Sequence, residues 1–177
     1  MLILDVGSGT NRSSIARGNV CIDLCRRPKN RPPVFVCTDA HHLPFTDAVF
    51  DKVCTYEVIE HVENPTRCLR EIHRVLREKG VLELTTPNVF HWRITLRQVR
   101  GLPAVLSDTG HISCWSQAEL QNILLNAGFS RIRFKYITLP LVFSPHKTLD
   151  RAARLVLPDT MSEINMIATA VKQETKA

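Results

Sequence analysis

Nowhere does this chain hold the ~18 consecutive apolar residues that a membrane-spanning helix needs, and its apolar start "LILDV" breaks at Asp5 without a basic segment before it. Neither a span nor a secretory signal is expected, so the reading is a soluble, cytoplasmic protein with no membrane partner. Metal-type cysteine spacing is missing too. Cys21, Cys25, Cys37, Cys54, Cys68 and Cys114 are scattered, with no Cys-x-x-Cys pair and no matching histidine pair, which predicts free thiols and no metal. Internal repeats and low-complexity stretches are absent as well.

What is present fits one domain over residues 1–177, because 177 residues at 44% hydrophobic bury one good core and not two. The net charge of +6 leaves an anionic partner open, nucleic acid included. Yet Arg67, Arg70, Arg74 and Arg77 recur at helical spacing between apolar residues, the pattern of a solvated helix face.

Five short apolar runs, Leu2 to Val6, Val20 to Leu24, Val34 to Thr38, Lys52 to Tyr56 and Val81 to Thr85, read as buried parallel strands. Between the last two lies "NPTRCLREIHRVLREKG", a crossover helix with Pro65 at its start, an apolar face of Cys68, Leu69, Ile72, Val75 and Leu76, and Gly80 as its stop. "SQAELQNILLNAGF" is a second helix with a Ser116–Glu119 capping box and Gly128 at its end. "RIRFKYI" alternates like a strand near a sheet edge, a short helix runs from Pro145 to Leu155, and "INMIATAVK" is a last strand. Three prolines in "CRRPKNRPP" prevent a full helix after the second strand. The fold class is α/β, a doubly wound and mostly parallel sheet with a reduced second crossover helix, and such sheets hold ligands at the carboxyl ends of their strands.

The turn "DVGSGT" stands at such an end. Gly7 and Gly9 allow a sharp bend against a ligand, but the third glycine of the dinucleotide fingerprint is replaced by Arg12. Asp23, ending the second strand, suits both hydroxyls of a ribose. Asp39, with Ala40, suits the edge of an adenine. Acids at three successive strand ends exceed what packing requires, since buried unpaired carboxylates are costly.

With "ILDVGSGT", "CIDL", "TDAHHLPFTDAVFDKV" and "TYEVIEHVENPTRCLREIHRVLREKGVLELTTPN", the sequence resembles the class I S-adenosylmethionine-dependent methyltransferases of the small-molecule type. The resemblance implies a Rossmann-like fold, S-adenosylmethionine as cofactor and methyl transfer to a small-molecule acceptor. By the same resemblance Asp5, Gly7, Ser8 and Gly9 line the methionine part, Asp23 and Leu24 the ribose side, Asp39 and Ala40 the adenine, and Tyr56 and Glu57 the methyl group. The N-terminal helices usual in the family are missing, and residues 87–115 form an insertion where it builds an acceptor lid. His61 and His111 fall around the acceptor pocket and are the candidate catalytic residues, against the alternative that both only order their loops. A nicotinamide dehydrogenase of the short-chain kind would need Tyr-x-x-x-Lys, which neither Tyr56 nor Tyr136 begins. A cofactor-binding subunit of low or no activity, associated with RNA through its charge, is the remaining alternative.

Overall fold

A computed structural model describes residues 1–8, 18–24, 34–102, 110–137, 147–163 and 165–173. Seven strands among them form one sheet: β1 (Ile3–Val6), β2 (Val20–Asp23), β3 (Val34–Cys37), β4 (Phe50–Tyr56), β5 (Leu76–Pro87), β6 (Phe129–Ile137) and β7 (Asn165–Lys172), in the order β3-β2-β1-β4-β5-β7-β6. The ladders from β3 to β5 are parallel, and β7 runs antiparallel to both neighbours. The expected doubly wound, mostly parallel sheet is therefore observed. β6 lies at its edge, where its alternation of Arg131, Arg133 and Lys135 with half-buried apolar residues places the charges in solvent.

Five helices accompany the sheet among the described residues: α1 (Pro65–Val75), α2 (Trp92–Val99), α3 (Gln117–Asn126), α4 (Lys147–Val156) and α5 (Asp159–Ser162). Asn64 caps α1 by accepting from the Arg67 amide at 3.0 Å, and Pro65 begins it where no amide partner is needed. Cys68, Leu69, Ile72 and Val75 form its buried face and meet Leu4, Phe50, Leu82, Leu120 and Leu124 in the core. At α3 the capping box is complete, with the Ser116 amide donating to Glu119 at 2.9 Å and the Glu119 amide to Ser116 Oγ at 3.3 Å. No helix among the described residues is long and apolar enough to cross a membrane.

Four expectations change. α1 ends at Val75 rather than at Gly80, because the amides of Ala48 and Val49 take the carbonyls of Arg74 and Val75 at 3.0 and 2.8 Å, and Leu76 turns extended to pair with Phe50. α2 occupies part of the region read as an acceptor-lid insertion, for which no helix was set out, and α5 was not anticipated. Cys37 is disulfide-bonded, while Cys21, Cys54, Cys68 and Cys114 are free as expected. Pro145 and the interval 25–33, with its reduced crossover, lie outside the described residues.

Arg74 is the fourth change, since it is no solvated face residue. Its Nε and Nη2 bind both oxygens of Glu71 at 2.9 Å, Nη2 also donates to the Leu43 carbonyl at 2.9 Å, and Nη1 reaches the Phe45 carbonyl at 2.8 Å and Asp47 at 2.7 Å. Glu71 in turn accepts from the Leu43 amide at 3.0 Å. One guanidinium thus pins residues 43–47, the segment that follows the adenine-side loop, onto α1. With its side chain about one-third exposed, the network is screened in part, and Arg74→Ala is expected to cost about 2 kcal/mol. A thermal melt should show a loss of several degrees; an unchanged midpoint would return Arg74 to the solvated face.

Candidate functional site

The glycine turn is shaped from both sides. Gly7 has φ +74, and a Cβ there would lie 2.3 Å from Val58 Cγ2. Its amide and that of Ser8 both donate to the Ile22 carbonyl, at 2.9 and 3.1 Å, which binds the turn to the end of β2. Gly18 holds β1 from beneath, where a Cβ would meet the Val20 carbonyl at 2.7 Å and Asp5 Cβ at 2.8 Å. The strand ends then open into a cavity of about 480 Å³, lined among others by Gly7, Asp23, Leu24, Asp39, Ala40, Glu57 and His61. That volume suits a nucleoside-sized ligand.

Asp39 begins a tight turn in which Oδ1 accepts from the His41 amide at 2.9 Å and meets His41 Nδ1 at 2.6 Å. The amide bond, foremost, holds its carboxyl below the ordinary range and keeps it ionised. Asp5 is different. It is 2% exposed beneath the turn and does not line the cavity, and burial, with the Asp23 charge second, pushes its carboxyl up to about 7. Ser8 is buried beside it, and its Oγ has no hydrogen-bond partner among the described residues. Gly9 lies outside those residues.

Tyr56 and Glu57 part company because successive residues at a strand end face opposite ways. Tyr56 points along the sheet and donates its hydroxyl to Glu83, away from the cavity, and burial raises its phenol. The residue expected beside the methyl group is thus not among those lining the cavity. Glu57 turns in through a left-handed backbone, φ +54. Its carboxylate accepts from Thr85 Oγ1 at 2.8 Å and from Asn165 Nδ2 at 3.0 Å, and burial raises its carboxyl.

A 3-10 turn, Ile59–His61, follows. It buries Glu60 completely, at 0% exposure, and burial, then the Glu57 charge, pushes that carboxyl up to about 8. His61 Nδ1 lies 2.9 Å from the Gly110 carbonyl, and its ring packs edge-on against His111 at 4.7 Å between centroids. His111 itself does not line the cavity, and burial lowers its imidazole below the ordinary value. Within the insertion, the Arg93 guanidinium sits 5.2 Å over the Trp92 ring, the Trp92 Nε1 group is buried without a hydrogen-bond partner among the described residues, and Phe90 is exposed. Glu60, Thr85 and Asn165 were not legible as site residues.

Residues 4–84 match the methyltransferase domain family. A probable S-adenosylmethionine-dependent methyltransferase of Mycobacterium tuberculosis is 39% identical over 87 residues, covering 49% of this chain and 29% of its own. A malonyl-[acyl-carrier protein] O-methyltransferase of Halorhodospira halophila is 28% identical over 148 residues, 72% of this chain and 48% of that one. Over residues 4–84 the chain is similar to the S-adenosylmethionine-dependent methyltransferases. A solved methyltransferase structure from Thermotoga maritima, described as a possible histamine N-methyltransferase, shares the fold, with a TM-score of 0.72 at 16% identity over 97% of this chain and 82% of that chain. The chain spans less than half the length of both curated relatives. S-adenosylmethionine is the family's cofactor, and the donor set fits it: carboxylates for a ribose and two cationic groups, a buried hydroxyl without a partner among the described residues, and turn amides already committed to Ile22 rather than free for a phosphate.

Proposed function

We propose that this methyltransferase domain moves a methyl group from S-adenosylmethionine to a small-molecule acceptor. The observation that carries the reading is the cavity spanning four strand ends, with Asp23 and Asp39 on adjacent strands and the Gly7 turn between them and Glu57. Asp23 would accept from the ribose hydroxyls, Asp39 and Ala40 would meet the adenine edge, and the exposed side chain of Leu24 would cover its face. Gly7 brings the backbone close to the methionine portion, and Ser8 Oγ supplies a polar contact there. When bound, the cofactor supplies an electrophilic methyl on sulfur, which a nucleophile displaces in line. Alignment and exclusion of water are what the chain adds. Glu57 is held rigid by Thr85 and Asn165 at the edge where the acceptor must approach, and His61 forms the adjoining wall. His61, in the cavity wall, is placed to take a proton from an acidic acceptor, with the His111 ring packed against it.

Calorimetry tests the cofactor, and labelled S-adenosylmethionine with a cell extract tests the transfer. S-adenosylhomocysteine should bind in the micromolar range and NAD should not. Asp23→Ala should weaken that binding about ten- to a hundredfold, the worth of a charge-assisted hydrogen bond, with the fold intact. Tighter binding of NAD, or an Asp23→Ala variant that binds like the parent, would defeat this placement. Failure of every extract component to accept methyl, with the cofactor bound, would favour a binding subunit.

A further inference from the structure

We propose that Glu60, His61 and His111 form a binding site for one divalent transition-metal cation beside the cofactor cavity, whose wall includes His61. Each residue offers one ligand atom, and the three atoms lie within 4.8 Å of one another. An ion of the zinc class holds such ligands at about 2.0–2.2 Å, so small side-chain rotations bring the three onto one centre. Cysteine and histidine spacing gave no hint of this, because residues 60, 61 and 111 meet only through the fold.

The site is built rather than incidental. Glu60 is wholly buried, its Oε2 has a single contact with Thr86 Oγ1 at 3.3 Å, and its Oε1 has no hydrogen-bond partner among the described residues. A buried carboxylate oxygen left without a donor is expensive, and a cation is the partner that answers it. The backbone fixes the rest. The Glu60 carbonyl accepts from the amides of Ile112 and Ser113 at 2.9 and 3.1 Å, which clamps the segment carrying His111 against the turn carrying His61. If His61 donates Nδ1–H to the Gly110 carbonyl, its Nε2 keeps the lone pair, which is how a metal-binding imidazole is oriented by a second partner.

Two imidazoles and one carboxylate favour zinc or a neighbouring first-row ion over magnesium or calcium, which prefer oxygen alone. Three protein ligands leave a fourth position open, and His61 is itself part of the cavity wall. This deepens the methyltransferase reading and rests on it in one respect: the open position would take an oxygen of the acceptor, which selects acceptors bearing a hydroxyl or carboxylate.

The test titrates chelator-stripped full chain with Zn²⁺ by competition calorimetry, and with Co²⁺ by visible absorption, on the parent, Glu60→Gln, His111→Ala and Cys114→Ser. One ion per chain is expected, weakened at least about tenfold by Glu60→Gln and by His111→Ala and unaffected by Cys114→Ser. Melting midpoints of the metal-free variants are the folding control, and the isosteric Glu60→Gln keeps the result readable should His111→Ala melt early. No uptake by the parent, equal uptake by both ligand variants, or a loss confined to Cys114→Ser would overturn the site. S-adenosylhomocysteine binding, measured on the same samples, separates the two readings: metal uptake without cofactor binding leaves the site standing and removes the cofactor assignment.

Discussion

Gly7→Ala is expected to lower the melting midpoint by roughly 5 to 15 °C and to abolish measurable cofactor binding. Two costs meet at this position. A left-handed backbone, φ +74, costs an L-residue about 1–2 kcal/mol, and a Cβ placed 2.3 Å from Val58 Cγ2 forces an overpacking shift worth about 1–3 kcal/mol. Together they are a large share of the ~5–15 kcal/mol that holds a domain of this size. Val58 also lines the cavity, so the displaced side chain moves into the space meant for the ligand. Adding Val58→Ala to the variant should return the overpacking share, about half of the loss, and leave the backbone share. Calorimetric melts of the four proteins of this cycle check the partition. An additive cycle would mean that Val58 is not what Gly7 accommodates.

Asp5→Asn should instead stabilise the protein at neutral and alkaline pH. The folded carboxyl titrates at about 7 against 3.8 for an ordinary one, so the fold prefers its neutral form. Its contribution is complete below pH 4 and is lost as pH rises through 7, a swing of up to about 4 kcal/mol. Asparagine is neutral throughout. The variant and parent should melt together near pH 4 and separate progressively up to pH 8, with the variant higher by several degrees. Glu57 and Glu60 shift in the same direction and slope the parent's profile too, which is why the difference between the two proteins is the measurement. The gain in stability carries a functional loss: affinity for the cationic cofactor should climb in the parent between pH 6 and 8 as Asp5 ionises, and stay flat in the variant. Parallel melting profiles would show that Asp5 keeps its ordinary acidity.

The strands of the parallel half were legible because each is a short apolar run closed by an acid or a turn, and Asp23 and Asp39 were legible as those acids. Misreadings came where a tertiary partner decides the outcome. Leu76 continues the helical period of α1, yet the sheet claims it by pairing with Phe50. Tyr56 was grouped with Glu57 by proximity in sequence, although strand alternation separates them. Glu60 resembles any charged residue of a surface turn until the segment around residue 112 covers it. Arg74 was hidden by its neighbours Arg70 and Arg77, which share its spacing and not its partners. Thr85 and Asn165 carry no charge and sit in ordinary strand sequence, so only the carboxylate they hold reveals them.

β7 slots between β5 and β6, pairing Val81 with Val171 and Leu82 with Ala170 across some of the longest sequence separations in the chain. During synthesis, β5 leaves the ribosome long before the strand that covers its edge. For that interval it carries an open row of amides and carbonyls, a template on which a second nascent chain can pair. Contacts so distant in sequence also form late, because loop closure must precede them. Asn165 opens β7 and grips Glu57 across 108 residues. Assembly of the Glu57 side of the cavity is thereby timed to the final docking of this strand, so that a half-made sheet leaves that side unfinished.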